Sequence, residues 1–306
     1  MEIIIIVLAT ILLILIALFF FCCHIVFKTI FVRDKNDYRF AELERKEDKE
    51  TPTRRWFAKQ KLENYSIKSK DGLTLNGFLL NNNSNKIALI VHGYRGRYYS
   101  SSGQAKIFSS LGYDVFLINN RSHDSSDGKY FSMGYFEKED LKLWIKFLLS
   151  KNPNYQIIIL GVSMGAHISL ISLDDELNNC SNIKAVIADC GYASLKEQIK
   201  FVMNKKFKKW VTNILSSVVE AYAFLIHHFR FTSTINLKNN NVPILFISGD
   251  KDDYVDVKNT IHNKNINHGY CELELFKNKN HNQSINDYEL YEKYIVRFLK
   301  NINYEN

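Results

Sequence analysis

Ile157-Ile158-Ile159-Leu160 runs directly into Gly161-Val162-Ser163-Met164-Gly165-Ala166-His167. A fully apolar run of this kind reads as a buried strand, and the residues after it read as a helix. Gly-x-Ser-x-Gly between the two is the sequence form of a nucleophile elbow, a tight strand-to-helix turn that lifts one serine above the edge of a sheet. Gly161 and Gly165 let the strand and the helix approach without side-chain clash, and a nucleophile in such a turn sits in a strained backbone conformation. Ser163 then stands at a helix N-terminus, where free N–H groups favour developing negative charge. A plain Gly/Ser turn between any strand and helix has the same pattern, so the reading depends on what the rest of the chain supplies.

From about Leu62 the chain alternates strand and helix patterns. Tyr65–Lys68 and Leu73–Phe78, separated by Asp71-Gly72, read as a hairpin. Lys86–Val91 and Tyr113–Asn119 read as strands, with a helix over Ser100–Leu111 between them. Glu137–Ser150 carries Leu141, Trp144, Ile145 and Leu148 on one face, the spacing of an amphipathic helix. Strands follow at Lys184–Asp189, Ile244–Ser248 and Glu272–Phe276, and Tyr288–Lys300 closes the chain as a helix. Several of these strands are apolar throughout. The expectation is an α/β fold with a doubly wound, mostly parallel sheet covered on both faces. Residues 194–236 interrupt the alternation with a long helical pattern and a basic, aromatic run, Lys205-Lys206-Phe207-Lys208-Lys209-Trp210. An insertion over the carboxyl ends of the strands would be a lid; a surface helix pair is the other reading.

A serine hydroxyl is a weak nucleophile until a base takes its proton, and the base needs an acid to hold its tautomer and stabilise its charge. In a doubly wound sheet these groups sit just after strand ends. The strand Ile244–Ser248 is followed by Asp250, Asp252 and Asp253. Asp250 beside the turn glycine suits a turn cap and Asp253 a helix cap, and spacing alone does not separate the three. Chain order Ser…Asp…His leaves His262, His268 and His281 as bases. Of these, His281 alone lies after the last strand and before the closing helix. Acyl transfer also needs an oxyanion hole. Met164, next after the nucleophile, offers one backbone N–H, and Tyr94 in His92-Gly93-Tyr94 offers the second.

Ile3–Phe27 contains no Asp, Glu, Lys or Arg. As a helix it would be about 37 Å long at 1.5 Å per residue, more than the ~30 Å hydrocarbon core. The start is Met1-Glu2 rather than basic, and no small-residue cleavage site follows, so an uncleaved, single-pass anchor over residues 1–28 is expected. Lys28, Arg33, Lys35 and Arg39 follow it, which by the positive-inside rule puts the large domain in the cytoplasm. The charge-dense residues 29–61 read as a stalk ending near Pro52, ahead of a catalytic domain over residues 62–306. Net charge is +8, but the basic residues are scattered and no nucleic-acid motif appears, so no nucleic-acid partner is expected. Of five cysteines, Cys22 and Cys23 lie in the apolar run and Cys180, Cys190 and Cys271 have no metal-type spacing. A buried thiol is the expected state of Cys190.

The chain from about Leu62 onward resembles the α/β-hydrolases, in particular the membrane-anchored bacterial branch related to serine aminopeptidases and acyl esterases. The resemblance rests on Lys70-Asp71-Gly72-Leu73-Thr74-Leu75, His92-Gly93-Tyr94, Arg121-Ser122-His123, Gly161-Val162-Ser163-Met164-Gly165, Asp189-Cys190-Gly191-Tyr192, Gly249-Asp250-Lys251-Asp252-Asp253-Tyr254-Val255 and His281. It implies Ser163 as nucleophile, Asp252 as the triad acid and His281 as the base, and it favours a lid over 194–236. Asn119 or Asn120 stands where the family carries an aspartate, Asp124 where it carries a glycine, and Asp256 where it often carries a proline. The function implied is a membrane-tethered serine hydrolase acting on an acyl or lipid ester, with no cofactor or metal. A serine peptidase and a non-catalytic binding protein of the same fold are the alternatives.

Overall fold

The computed structural model describes residues 2–33, 51–231 and 235–304. Eight strands form one sheet in the order β1-β2-β4-β3-β5-β6-β7-β8. They are β1 (Glu63–Lys68), β2 (Thr74–Leu80), β3 (Lys86–Val91), β4 (Asp114–Ile118), β5 (Gln156–Val162), β6 (Ile183–Asp189), β7 (Ile244–Gly249) and β8 (Cys271–Phe276). The hairpin β1–β2 is antiparallel, β2 pairs antiparallel with β4, and the other neighbours are parallel. The expected doubly wound sheet is therefore present, with an antiparallel edge at its start.

The apolar strands explain the two layers of helices. Successive side chains on a strand point to opposite faces. Ile157 and Ile159 join one core with Leu141, Trp144, Ala166 and Ile168, while Ile158 and Leu160 join the other with Ala105, Phe108, Ile295 and Phe298. The helices that close these cores are α4 (Glu137–Lys151) and α5 (Met164–Ile171) on the first face, and α3 (Ser102–Ser110) and α10 (Tyr288–Asn301) on the second. Strand order reverses between β3, which connects toward β4, and β5, which continues toward β6. A crevice opens at such a switch point, and the turn after β3 and the elbow after β5 both face it.

The N-terminal helix α1 spans Glu2–Phe31, past the expected exit at Lys28. Residues 2–22 are exposed on every side, whereas Cys23, Phe27 and Phe31, four residues apart, are buried. That spacing is one stripe of a helix, and the stripe docks on the domain. The exposed part is ~30 Å long at 1.5 Å per residue, long and apolar enough to cross a membrane.

Of the segment read as a stalk, residues 34–50 lie outside the described residues. Its ends are packed on the domain rather than standing free. Val32 pairs with Tyr130, and the Arg33 N–H donates to the Lys129 carbonyl at 3.0 Å. Pro52 starts a short helix, α2 (Pro52–Phe57), instead of ending one. Its missing N–H costs nothing at the first helical position, and the Thr51 hydroxyl caps the Arg54 N–H at 3.3 Å. The insertion contains α7 (Leu195–Asn204) and α8 (Lys209–His227). Among the described residues the other α-helices are the single turn α6 (Asp175–Asn178) and α9 (Lys258–Ile266).

Candidate active site

Ser163 sits at φ 54° and ψ −112° at the mouth of α5. A non-glycine residue in that region is strained, and the surrounding backbone has to hold it there. It does so tightly: the Ser163 N–H donates to the Asp189 carbonyl at 2.7 Å. A Cβ on Gly165 would lie 2.0 Å from the Val91 carbonyl oxygen, so only glycine lets α5 pass that close to β3.

His281 follows β8 and reaches back over the elbow. Its Nε2 lies 2.9 Å from Ser163 Oγ, and its Nδ1 lies 2.7 Å from Asp252 Oδ2. With Nδ1–H donating to the carboxylate, Nε2 is left as the acceptor for the serine hydroxyl. The Asp252 side chain is fully buried, and its other oxygen accepts the N–H groups of Tyr254 at 3.0 Å and Val255 at 2.8 Å. The three aspartates that spacing did not separate have separate partners. Asp250 accepts the Asn278 N–H at 2.6 Å, so it braces a turn. Asp253 is exposed, and its carbonyl meets Lys205. Neither His262 nor His268 is joined to Ser163. His262 lines a separate surface hollow with Ser194, Glu197 and Lys258.

The turn after β3 packs directly on Ser163. A Cβ on Gly93 would lie 3.3 Å from Ser163 Cβ and 3.2 Å from the Val162 carbonyl. Glycine at 93 thus brings the Tyr94 backbone alongside the serine. Across the crevice Met164 opens α5, where helix geometry leaves the first N–H groups without intrahelical partners. The cavity between them has a volume of about 300 Å³ and is lined by Tyr94, Arg95, Gln104, Ser163, Tyr254 and His281, among others.

Two buried histidines fix this turn, and sequence reading gave neither a role. His92 donates from Nδ1 to the Gly93 carbonyl at 2.7 Å and accepts the Asn120 N–H on Nε2 at 3.1 Å. His123 donates from Nδ1 to the Arg121 carbonyl at 2.8 Å and accepts the Arg95 N–H on Nε2 at 3.1 Å. Burial pushes His92 down to about 3 and His123 down to about 4, so both are neutral at physiological pH. Asn120 adds a side-chain bond to the His92 carbonyl at 3.1 Å. Asn119 bonds Asp124 and Ser125, both at 3.0 Å. Asn120 thus ties the loop to the β3 turn, and Asn119 braces the loop internally. Beneath it, buried Arg121 forks onto Asp140 at 2.6 and 2.8 Å and onto Asp71 at 3.0 and 3.1 Å.

Cys190 Sγ, Asp252 and His281 offer ligand atoms within 4.8 Å of one another. Burial, with Asp189 and Asp252 nearby, pushes the Cys190 thiol up, so it stays protonated. His281 Nδ1 is already engaged by Asp252 at 2.7 Å, so the pair is arranged as a hydrogen bond and a protonated thiol adds no ligand. Asp189 is a further buried acid behind the site; it accepts the Tyr291 hydroxyl at 3.0 Å, and burial pushes it up to about 6.

Comparison with known proteins bears on the fold and the family. The chain is 28% identical over 222 residues to the uncharacterized protein YqkD of Bacillus subtilis, covering 70% of this chain and 71% of that one. Among solved structures it is similar to the Pyrococcus furiosus esterase Pf2001, with a TM-score of 0.62 and 23% identity over 79% of this chain and 91% of that one. It is also similar to mouse alpha/beta hydrolase domain-containing protein 10, with a TM-score of 0.58 and 16% identity over 78% of this chain and 99% of that one. At those identities the two structures speak to the fold. The profile of the serine aminopeptidase S33 family matches residues 82–238, just over half of the chain, and that span holds both the β3 turn and the elbow. A chain with this fold and this profile belongs to the serine aminopeptidase S33 family of α/β-hydrolases and is a serine hydrolase of esterase or peptidase type.

Proposed function

We propose that the protein is a membrane-tethered carboxylic ester hydrolase working through Ser163, His281 and Asp252. The observation that carries this is the unbroken relay Ser163 Oγ–His281 Nε2 at 2.9 Å and His281 Nδ1–Asp252 Oδ2 at 2.7 Å on a strained elbow. Ser163 Oγ attacks the ester carbonyl carbon as its proton passes to His281 Nε2. Asp252 keeps the imidazole in the correct tautomer and stabilises the imidazolium. The Tyr94 and Met164 N–H groups hold the tetrahedral oxyanion. The intermediate collapses by breaking the carbon–oxygen bond to the alcohol, which leaves with the proton from His281. Water, deprotonated by His281, then attacks the acyl carbon; the bond to Ser163 Oγ breaks, Oγ takes the proton back from His281 Nε2, and the carboxylic acid leaves.

Two features favour an ester over a peptide. Holding a free amine calls for a carboxylate or a ring of carbonyls, and among the described residues no Asp or Glu lines the cavity, whereas Arg95 does. Tyr94, in the cavity wall, also hydrogen-bonds the last turn of α1 at Ile30. The catalytic crevice therefore opens close to where α1 leaves the bilayer, with the domain on the cytoplasmic side by its flanking Lys28 and Arg33. Acyl substrates held in the membrane reach such a mouth by a short path.

The inserted helices act in this reading as a lid. Gln198 on α7 donates to the Tyr254 carbonyl at 2.7 Å, and the Tyr254 ring lies 5.1 Å from His281. Phe207, Ile214 and Trp210, the last 65% exposed, project beside Lys205, Lys206, Lys208 and Lys209, a composition suited to a headgroup layer. Fluorophosphonate labelling tests the nucleophile: Ser163 should label and Ser163→Ala should not. A panel of acyl esters against aminoacyl amides tests the substrate class; faster turnover of the amides would sink the ester reading.

A further inference from the structure

An α-helix ends with four carbonyls that no intrahelical N–H can reach. The last i→i+4 bond of α1 runs from the Val32 N–H to Lys28 O at 3.2 Å, and the next three carbonyls are capped from elsewhere in the chain. Phe31 O accepts the Phe131 N–H at 2.9 Å. Thr29 O accepts the Arg95 guanidinium at 3.1 Å, and Ile30 O accepts the Tyr94 hydroxyl at 2.7 Å. The two side-chain caps thus come from the two residues that follow Gly93, in the turn that flanks Ser163. Arg95 also places a cation at the negative end of the helix dipole.

The helix end is seated as firmly as the caps require. The Phe27 ring stacks on His227 at 4.1 Å and lies 5.1 Å from the ring of Phe31. Phe31 in turn lies 5.4 Å from Phe229 and 5.0 Å from Phe231. The Phe131 ring lies 5.1 Å from Tyr94 and 4.9 Å from His123, so the residue that caps Phe31 also packs on the turn. Arg95 is itself in the left-handed region at φ 58°, a conformation that needs outside support.

We propose that the end of α1 is a working part of the oxyanion turn. The Tyr94 and Arg95 side chains are its positioning groups, so seating of the membrane helix sets the rate of acyl transfer. This rests on the Ser163–His281–Asp252 reading above. An oxyanion donor contributes only when it lies within a few tenths of an ångström of its place. Gly93 fixes the turn from the Ser163 side, and α1 fixes it from the other. The helix is then more than a tether, because loosening it displaces a donor that acts in the transition state and leaves the binding cavity in place.

The test uses the full chain in detergent micelles with a short-chain, water-soluble nitrophenyl ester, so that substrate partitioning plays no part. Tyr94→Phe keeps the ring and removes the cap. It should lower kcat about tenfold with KM within about twofold, because the donor is displaced rather than deleted. Phe27→Ala loosens the same helix end from the far side and should give the same split. Its melting temperature shows whether the domain is still folded. Arg95→Met should lose rate that Arg95→Lys restores. Wild-type kcat in Tyr94→Phe and Arg95→Met would overturn the proposal, as would a loss confined to KM. Ser163→Ala separates the two claims. If it is inactive while Tyr94→Phe is normal, only the coupling fails; if it remains active, the triad reading fails and takes the coupling with it.

Discussion

The two sides of the crevice are built in different ways. On the triad side every group hangs from a strand end, and its support is local. Ser163 follows β5, Asp252 follows β7 and His281 follows β8, and Asp252 is held by N–H groups two and three residues further along. On the oxyanion side the turn after β3 is braced from outside the sheet, by Asn120, by the Arg95–His123 bond and by the end of α1. The proposed nucleophile and its relay are a property of the sheet, whereas the proposed donor opposite them is a property of the periphery. An enzyme built this way can lose rate without losing any reacting group.

The contrast can be broken first at the sheet. Ser163→Ala should cut turnover by about 10⁵-fold or more at unchanged stability, measured by single-turnover kinetics and thermal melting. Asp252→Asn should cost about 10³- to 10⁴-fold, because the imidazole loses its tautomer and its counter-charge. Asp250→Asn and Asp253→Asn should stay within about threefold of wild type, since neither side chain meets His281, and a comparable loss at either would reassign the acid. On the periphery the largest effect should be in stability. Arg121→Met leaves the nearly buried Asp140 carboxylate without its partner and should cost about 3–5 kcal/mol in urea unfolding. A change under about 1 kcal/mol would mean the fork is dispensable.

The smallest effect is a pH slope. His123 is held down to about 4 in the folded chain, against an ordinary value of 6.5. Between those values the unfolded chain binds a proton there that the folded chain does not. The contribution of this neutral ring is therefore intact above pH 6.5 and erodes as pH falls toward 4. His123→Gln removes the site, so the stability gap between wild type and variant should narrow by about 1.4 kcal/mol per pH unit across that window. A gap independent of pH would show that the imidazole is not buried neutral.

Much of the sheet side was legible in the sequence because its signals are local. An apolar run, a Gly-x-Ser-x-Gly turn and a histidine between the last strand and the last helix each follow from neighbouring residues. Choosing among Asp250, Asp252 and Asp253 needed either the family resemblance or the coordinates, because all three sit in one turn and differ only in where they point. The periphery was far less legible. His92 and His123 are two loop histidines until the fold buries them against Asn120 and Arg95. The docked stripe Cys23, Phe27 and Phe31 is hidden because it continues a run that is apolar on every face, so no periodicity stands out at its start. The stalk reading over 29–61 leaned on charge density, which says nothing about the backbone pairing of Val32 with Tyr130.

The caps on α1 come from far along the chain: Tyr94 and Arg95 lie 64 and 66 residues beyond the carbonyls they serve. Synthesis delivers the helix first and its caps much later. A ribosome must add Tyr94, Arg95 and then Phe131 before the last turn of that helix has all its partners. Maturation of this enzyme therefore has an order imposed by geometry, with the nascent domain completing a helix that is already in place. A series of arrested chains would read this order as protection of Thr29–Phe31 from proteolysis, which should appear only once residue 131 has emerged.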